Sequence, residues 1–184
     1  MSELIAGPRP RAAFFSMSDG TAQDWEIIRA AVPEAPLADG ILEQLQRLGQ
    51  EPSGFAVDRL THSLQTATRA ERAGRPDQYL LAALVHDIGD NLAPENHSEL
   101  AAAVLRPHIP DDLHWMVLHH GEFQRYYFGH FIGEDRNVRD RYRGHECFDL
   151  TAEFCEEFDQ RSFDPGYPTE PLEHFVPLLR DLLG

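Results

Sequence analysis

An imidazole and a carboxylate stand side by side at His86-Asp87, near the end of the most apolar stretch of the chain, QYLLAALVHDIG. Burying a bare charge in such surroundings is costly, so the pair must either be satisfied by local hydrogen bonds at a helix end or be coordinated to a cation. The pair has company. His62 lies upstream, with Gln65 one helical turn later on the same face. His97 follows Asp87 across a proline-containing loop, and His119 and His120 stand together further on. Four consecutive helices that each offer an imidazole near one end are what a metal site in a helical bundle requires. Imidazole and carboxylate donors suit iron, manganese or zinc better than thiophilic metals. Asp87 has two oxygens where an imidazole has one free lone pair, which makes it the natural bridge between two ions.

The elements that must position these side chains all read as helical. A capping-box pattern at Thr21 and Asp24 precedes Trp25, Ile28 and Val32, and Pro33 to Pro36 end that helix. A second helix spans about 38–48. A third, about 57–73, turns Leu60, Leu64, Ala67 and Ala70 inward and stops at Gly74 and Pro76. The HD-bearing helix after Asp77 is apolar nearly all round, hence central. Further helices are expected from His97 to about Pro107, from Asp111 or Asp112 to His120, from Phe148 to Gln160, and from Pro171 to Leu182; FQRYYFGHFIG reads as helical or half-helical. Nothing alternates long enough for a convincing strand. The expectation is an all-α, single-domain helical bundle over 18–184, with residues 1–17 as an N-terminal lead-in.

Composition narrows the function classes. The chain has 184 residues, 42% hydrophobic and 26% charged, the balance of a folded domain. A formal net charge of −15 repels phosphate backbones and anionic lipid, so neither nucleic acid nor membrane is an expected partner. No apolar run is long enough to span a bilayer and the N-terminus does not read as a signal peptide, so the expected location is cytoplasmic. Cys147 and Cys155 fit no CxxC pattern and read as reduced thiols. His108, His114, His130, His145 and His174 read as surface or structural, and Asp164 as a turn residue before Pro165.

The order His…His-Asp…His…His…Asp resembles the HD-domain superfamily in its two-metal subset. HSLQTA at 62–67 is similar to the HxxQTA stretch of myo-inositol oxygenase, and LVHDIG resembles the defining His-Asp segment. VLHHGEFQRYY and EEFDQRSFDPGYPTEPLEHFVPLLRDLL resemble segments of the organophosphonate oxygenases. The first of these points to His120 rather than His119. The second points to Asp159, with Asp149 in the FDL segment as its rival. The resemblance implies one metal on His62, His86, Asp87 and Asp159, and a second on Asp87, His97 and His120, with iron cycling through Fe(II)/Fe(III). Manganese is the other candidate. Where relatives place cations near the substrate, this chain has Asp90, Gln124 and Glu156. Acids there repel a phosphonate dianion, so a neutral polyol or an amine-bearing substrate is expected.

Three functions follow as alternatives. The first is a diiron oxygenase that oxidises or cleaves a small polar metabolite with O2. In it Asp87 bridges, Gln65 orients a ligand or a water, and Asp90 and Arg125 face the substrate. The second is a metal-dependent phosphohydrolase, which needs positive groups around phosphorus, with Arg59, Arg125 and Arg139 as candidates. The third is a non-catalytic binding protein that retains the fold.

Overall fold

The computed structural model describes residues 10–31, 37–50 and 54–184, all of them helical or irregular; among these residues there is no strand. Residues 1–9 of the expected lead-in and the Pro33–Pro36 stop lie outside the described residues. The chain divides into two compact units, Met1–Ala35 and Pro36–Gly184. In the first, α1 (Ala22–Ala31) opens on the capping box read from the sequence. Thr21 N donates to Asp24 Oδ2 at 3.0 Å, and Asp24 N to Thr21 Oγ1 at 3.3 Å.

The second unit carries everything that concerns the site. α2 (Leu37–Leu48) buries Ala38, Ile41, Leu45 and Leu48, a single apolar stripe. α3 (Arg59–Arg72) starts on Asp58, whose carboxylate accepts from Thr61 N at 2.7 Å. It ends in a Schellman turn: Arg75 N donates to Ala70 O, Gly74 N donates to Glu71 O, and Gly74 has φ +74°. α3 is buried on nearly every side from His62 to Thr68. It tolerates Thr66 and Thr68 there because their hydroxyls donate to His62 O and Leu64 O one turn back. α4 (Asp77–Val85) buries all seven residues from Tyr79 to Val85 and packs on α3, α6 and the C-terminal helix α8 (Leu172–Leu183). It is the central helix that its composition announces.

Two elements differ from the sequence expectation. α5 (His97–Leu105) is as expected, but α6 (Asp111–Phe128) does not stop at His120; it continues through Gly121 and the aromatic run. Gly121 is there for contact rather than for a break. A Cβ at that position would lie 2.9 Å from Ser98 Oγ, so its absence lets α5 and α6 pack closely. The helix expected over 148–160 is two things. α7 (Phe148–Glu153) passes into a π-helical turn, Phe154–Asp159, closed by Gln160 N donating to Cys155 O. No helix among the described residues is long and apolar enough to cross a membrane.

Gly89 joins the segment after α4 to α5 by the same device. A Cβ there would meet His97 O at 3.0 Å, His97 Cα at 3.1 Å and Leu100 Cβ at 3.1 Å, two of them backbone atoms. Gly89→Ala is therefore expected to lower stability by about 1–3 kcal/mol through overpacking. Gly40→Ala, in α2 with nothing within 4 Å of the new methyl group, should raise it by about 0.5–1 kcal/mol. Urea unfolding midpoints of the two variants test the contrast; equal, small shifts would mean that Gly89 imposes no packing constraint.

Candidate metal centre

His62 sits in the first turn of α3, His86 at the C-cap of α4 with Asp87 next to it, His97 at the start of α5, His120 inside α6, and Asp159 at the end of the π-helical turn. All but His97 are at most 4% exposed; the His97 side chain is 20% exposed. Each imidazole is held in one sense. Nδ1 of His86, His97 and His120 lies 2.8, 2.9 and 2.7 Å from the carbonyls of Ala83, Pro94 and Val117, and Nδ1 of His62 lies 3.0 Å from Ser162 O. A carbonyl only accepts, so the proton sits on Nδ1 and all four Nε2 lone pairs face the interior.

There they converge on two carboxylates. His62 Nε2 lies 3.2 Å from Asp159 Oδ1 and 3.4 Å from Asp87 Oδ2, with His86 Nε2 3.6 Å from the same Asp87 oxygen. The other Asp87 oxygen, Oδ1, lies 3.1 Å from His120 Nε2 and 3.4 Å from His97 Nε2. The ligand atoms of His62, His86 and Asp159 fall within 4.8 Å of one another, and so do those of His86, Asp87 and His120. His97 stands just outside both groups, beside Asp87.

The donors fit a bound cation. His62 Nε2 and His86 Nε2 are 3.2 Å apart, each with its proton committed on the other nitrogen. Two lone pairs face each other at that distance only if a proton or a metal lies between them. Asp159 Oδ2 is buried and has no hydrogen-bond partner among the described residues. With metal absent, the carboxylates recruit a proton. Burial pulls the His62 pKa down, but hydrogen bonds and charge from Asp159 and Asp87 win and push it up to about 9. Burial opposes ionisation of Asp87 and Asp159 as well, yet the surrounding imidazoles hold both below the usual carboxylate range.

The remaining sequence candidates fall as follows. His119 donates no lone pair to the cluster; its Nδ1 is 3.2 Å from Glu122 Oε2 and its ring packs on Trp115. Asp149 is exposed on α7. Gln65 spends both ends of its amide on the backbone of Asp164, which clamps the 162–164 segment behind His62. Arg125 lines the cleft with Nε 3.2 Å from Glu134. The acids expected to face an amine are placed otherwise. Asp90 is gripped at both oxygens by Arg59, at 2.7 and 3.1 Å, and Glu156 is exposed and outside the cleft lining. Three contacts were not anticipated from the sequence. Gln124 Nε2 donates to Asp159 Oδ1 at 3.0 Å, Phe163 stacks on the His62 ring at 4.4 Å between centroids, and Arg59 Nη1 reaches to 3.4 Å from Asp87 Oδ2. Arg59 lies three residues before His62, which puts it on the same helix face and was the available signal.

A cleft of about 1150 Å³ opens onto Asp87, His97, His120 and Asp159, while His62 and His86 lie behind them. Because His62 binds its proton up to about pH 9 when folded, against 6.5 for the ordinary side chain, it stabilises the metal-free protein fully below about 6.5. That contribution is lost as pH rises through about 9. Unfolding midpoints of chelator-treated protein should therefore fall between pH 6.5 and 9.5, and those of metal-loaded protein should not; a flat or rising metal-free profile would contradict this.

The HD-domain family profile matches residues 59–162, a span that begins at Arg59 and contains all six converging side chains. A curated relative, [1-hydroxy-2-(trimethylamino)ethyl]phosphonate dioxygenase (glycine-betaine-forming) of Leisingera caerulea, is 33% identical over 92 residues, covering 44% of this chain and 47% of the relative. The chain thus matches about half the length of that enzyme. With the family profile covering more than half of the sequence and the His-Asp pair at the heart of the buried cluster, the chain belongs to the HD-domain family of metal-dependent enzymes.

Proposed function

We propose that the protein holds two metal ions at this centre and acts as an oxygenase on a small polar metabolite, with O2 as co-substrate. The observation that carries the reading is the division of Asp87 between two sets of imidazoles, Oδ2 toward His62 and His86 and Oδ1 toward His97 and His120. In this reading His62, His86, Asp87 and Asp159 hold one ion, Asp87, His97 and His120 hold the second, and Asp87 bridges. Iron as an Fe(II)/Fe(III) pair fits these donors and, when bound, supplies the redox activation of O2; manganese satisfies the same donor set.

The protein's own groups have the tasks of orientation and access. Four Nδ1–H bonds to carbonyls fix the rings, and Gln124 fixes Asp159. The cleft admits substrate from the His97 and His120 side, and Phe163 closes the His62 side. Oxygen chemistry is favoured over phosphate hydrolysis by two supports. The curated relative is a dioxygenase by name. Hydrolysis at phosphorus needs uncommitted cations, and among the described residues the three arginines lining the cleft are all paired: Arg59 with Asp90, Arg125 with Glu134, and Arg141 with Glu122. Arg139 lies over the Tyr126 ring and outside the lining. The same pairing supports a substrate without a phosphonate-like dianion.

Anaerobic iron loading followed by partial oxidation should give a coupled Fe(II)/Fe(III) paramagnetic resonance signal and about two ions per chain. Silence there, with manganese-dependent release of phosphate from nucleotides, would replace this reading with the hydrolase. Asp87→Ala should lose both ions together; retention of two ions would refute the bridge. Gln124→Leu should keep the fold and weaken metal retention by about 10- to 100-fold, the usual effect of removing a bond that orients a ligand. Unchanged metal affinity in that variant would deprive Gln124 of its role.

A further inference from the structure

Among the described residues, Arg59 is the arginine that pairs with a residue of the centre, and it is held by several contacts at once. Nε and Nη2 grip the two oxygens of Asp90 at 2.7 and 3.1 Å, Nη1 stands 3.4 Å from Asp87 Oδ2, and the group lies 4.9 Å over the Phe55 ring. Its side chain is 20% exposed and lines the cleft together with Asp87, His97 and His120. A guanidinium has five N–H bonds. Two go to Asp90 and one faces Asp87, so one on each Nη takes no partner among the described residues.

We propose that Arg59 is the substrate anchor of the cleft and that it receives a carboxylate carried close to the oxygen that enters the metal centre. This deepens the oxygenase reading and rests on it, since the anchor matters only for a ligand that also reaches the centre. The planar fork matches a carboxylate, and the arginine is ordered in advance, so little side-chain entropy is lost on binding. Asp90 decides the charge of the guest. It cancels most of the field of Arg59 beyond hydrogen-bonding range, and it repels a dianion twice as strongly as a monoanion. The contact of Arg59 Nη1 with Asp87 Oδ2, at 3.4 Å, places the anchored group beside that carboxylate. The substrate class is thus a short hydroxy acid or its equivalent, with a hydroxyl toward the metals and a carboxylate toward Arg59.

Glycolate tests this, with ethylene glycol as the probe lacking a carboxylate and inorganic phosphate as the more highly charged anion. Each is titrated calorimetrically into anaerobic Fe(II)-loaded protein of known metal content. Glycolate should bind at least about tenfold more tightly than ethylene glycol. Arg59→Gln should weaken glycolate by about 10- to 100-fold, the worth of a charge-assisted pair, while leaving ethylene glycol and the metal count unchanged. Arg59→Lys should recover only part of the loss because it restores charge without the fork. Asp90→Asn should act in the opposite direction and improve phosphate binding relative to glycolate. Metal-loaded Arg59→Gln that binds glycolate like the unaltered protein, or Asp90→Asn that leaves the phosphate-to-glycolate ratio unchanged, overturns the anchor while the metal centre stands. Failure of the unaltered protein to take up iron overturns both.

Discussion

Two carboxylates and four imidazoles crowd together at the floor of the cleft, all but His97 nearly buried, and the fold is organised around making that tolerable. Asp87 and Asp159 are 4% and 2% exposed. Ionised acids at that depth require compensating positive charge, and Arg59, the one arginine among the described residues that reaches them, is already paired with Asp90. The imidazoles cannot supply the charge while their Nδ1 protons are spent on carbonyls and their Nε2 lone pairs face each other. A proton shared at His62 is the smallest cation that closes the account, and a metal held by several of these atoms is the one that uses every donor. The rings of Phe154, against His86 and His120, and Phe163, against His62, raise the stakes, since a low local dielectric strengthens a satisfied cluster and penalises an incomplete one.

The backbone is recruited into the site at helix ends. His86 is the C-cap of α4, and its Nδ1–H donates to Ala83 O, one of the terminal carbonyls that lack an intrahelical donor. One hydrogen bond therefore finishes a helix, selects a tautomer and aims a lone pair. His97 uses Pro94 O at the entry to α5, where the bond selects the tautomer and aims the lone pair without finishing a helix. His62 is different, because its carbonyl comes from Ser162, a hundred residues later. The ring is correctly turned only once the segment after the π-helical turn has docked on α3, a docking that Gln65 reinforces through Asp164. Assembly of the centre is thus coupled to a contact between residues a hundred apart in the sequence.

Much of this was legible in residue order. Helical periodicity located α2, α3, α4 and α8, and the apolar run before His86-Asp87 identified the buried helix. Register also held a clue to His120 that spacing alone left open. Met116, His120 and Phe123 recur at i, i+4 and i+7 on the buried face of α6, whereas His119 follows Trp115 onto another face. That pattern shows only if α6 is taken as one helix through Gly121, and a glycine inside a helix ordinarily argues for a break. The π-helical turn was not legible, because it depends on one extra residue per turn that no pattern of apolar residues announces. Nor was the pairing of Arg59 with Asp90, which joins residues thirty-one apart across two elements.

The pairing changes what the acids near the centre mean. Read in sequence, Asp90 three residues after Asp87 is a free negative charge that invites an amine. Read in space, it is the counter-ion and orienting clamp of Arg59. The same holds around the cleft, where Glu134 and Glu122 hold Arg125 and Arg141. The chain has no lysine, and its 16 basic side chains are all arginine. A lysine would offer a mobile point charge to any anion, whereas a paired arginine presents a fixed edge with directional N–H bonds and little net field. Selection in such a cleft comes from shape and hydrogen bonding close to the metals rather than from long-range attraction, as a net charge of −15 already demands of any anionic ligand.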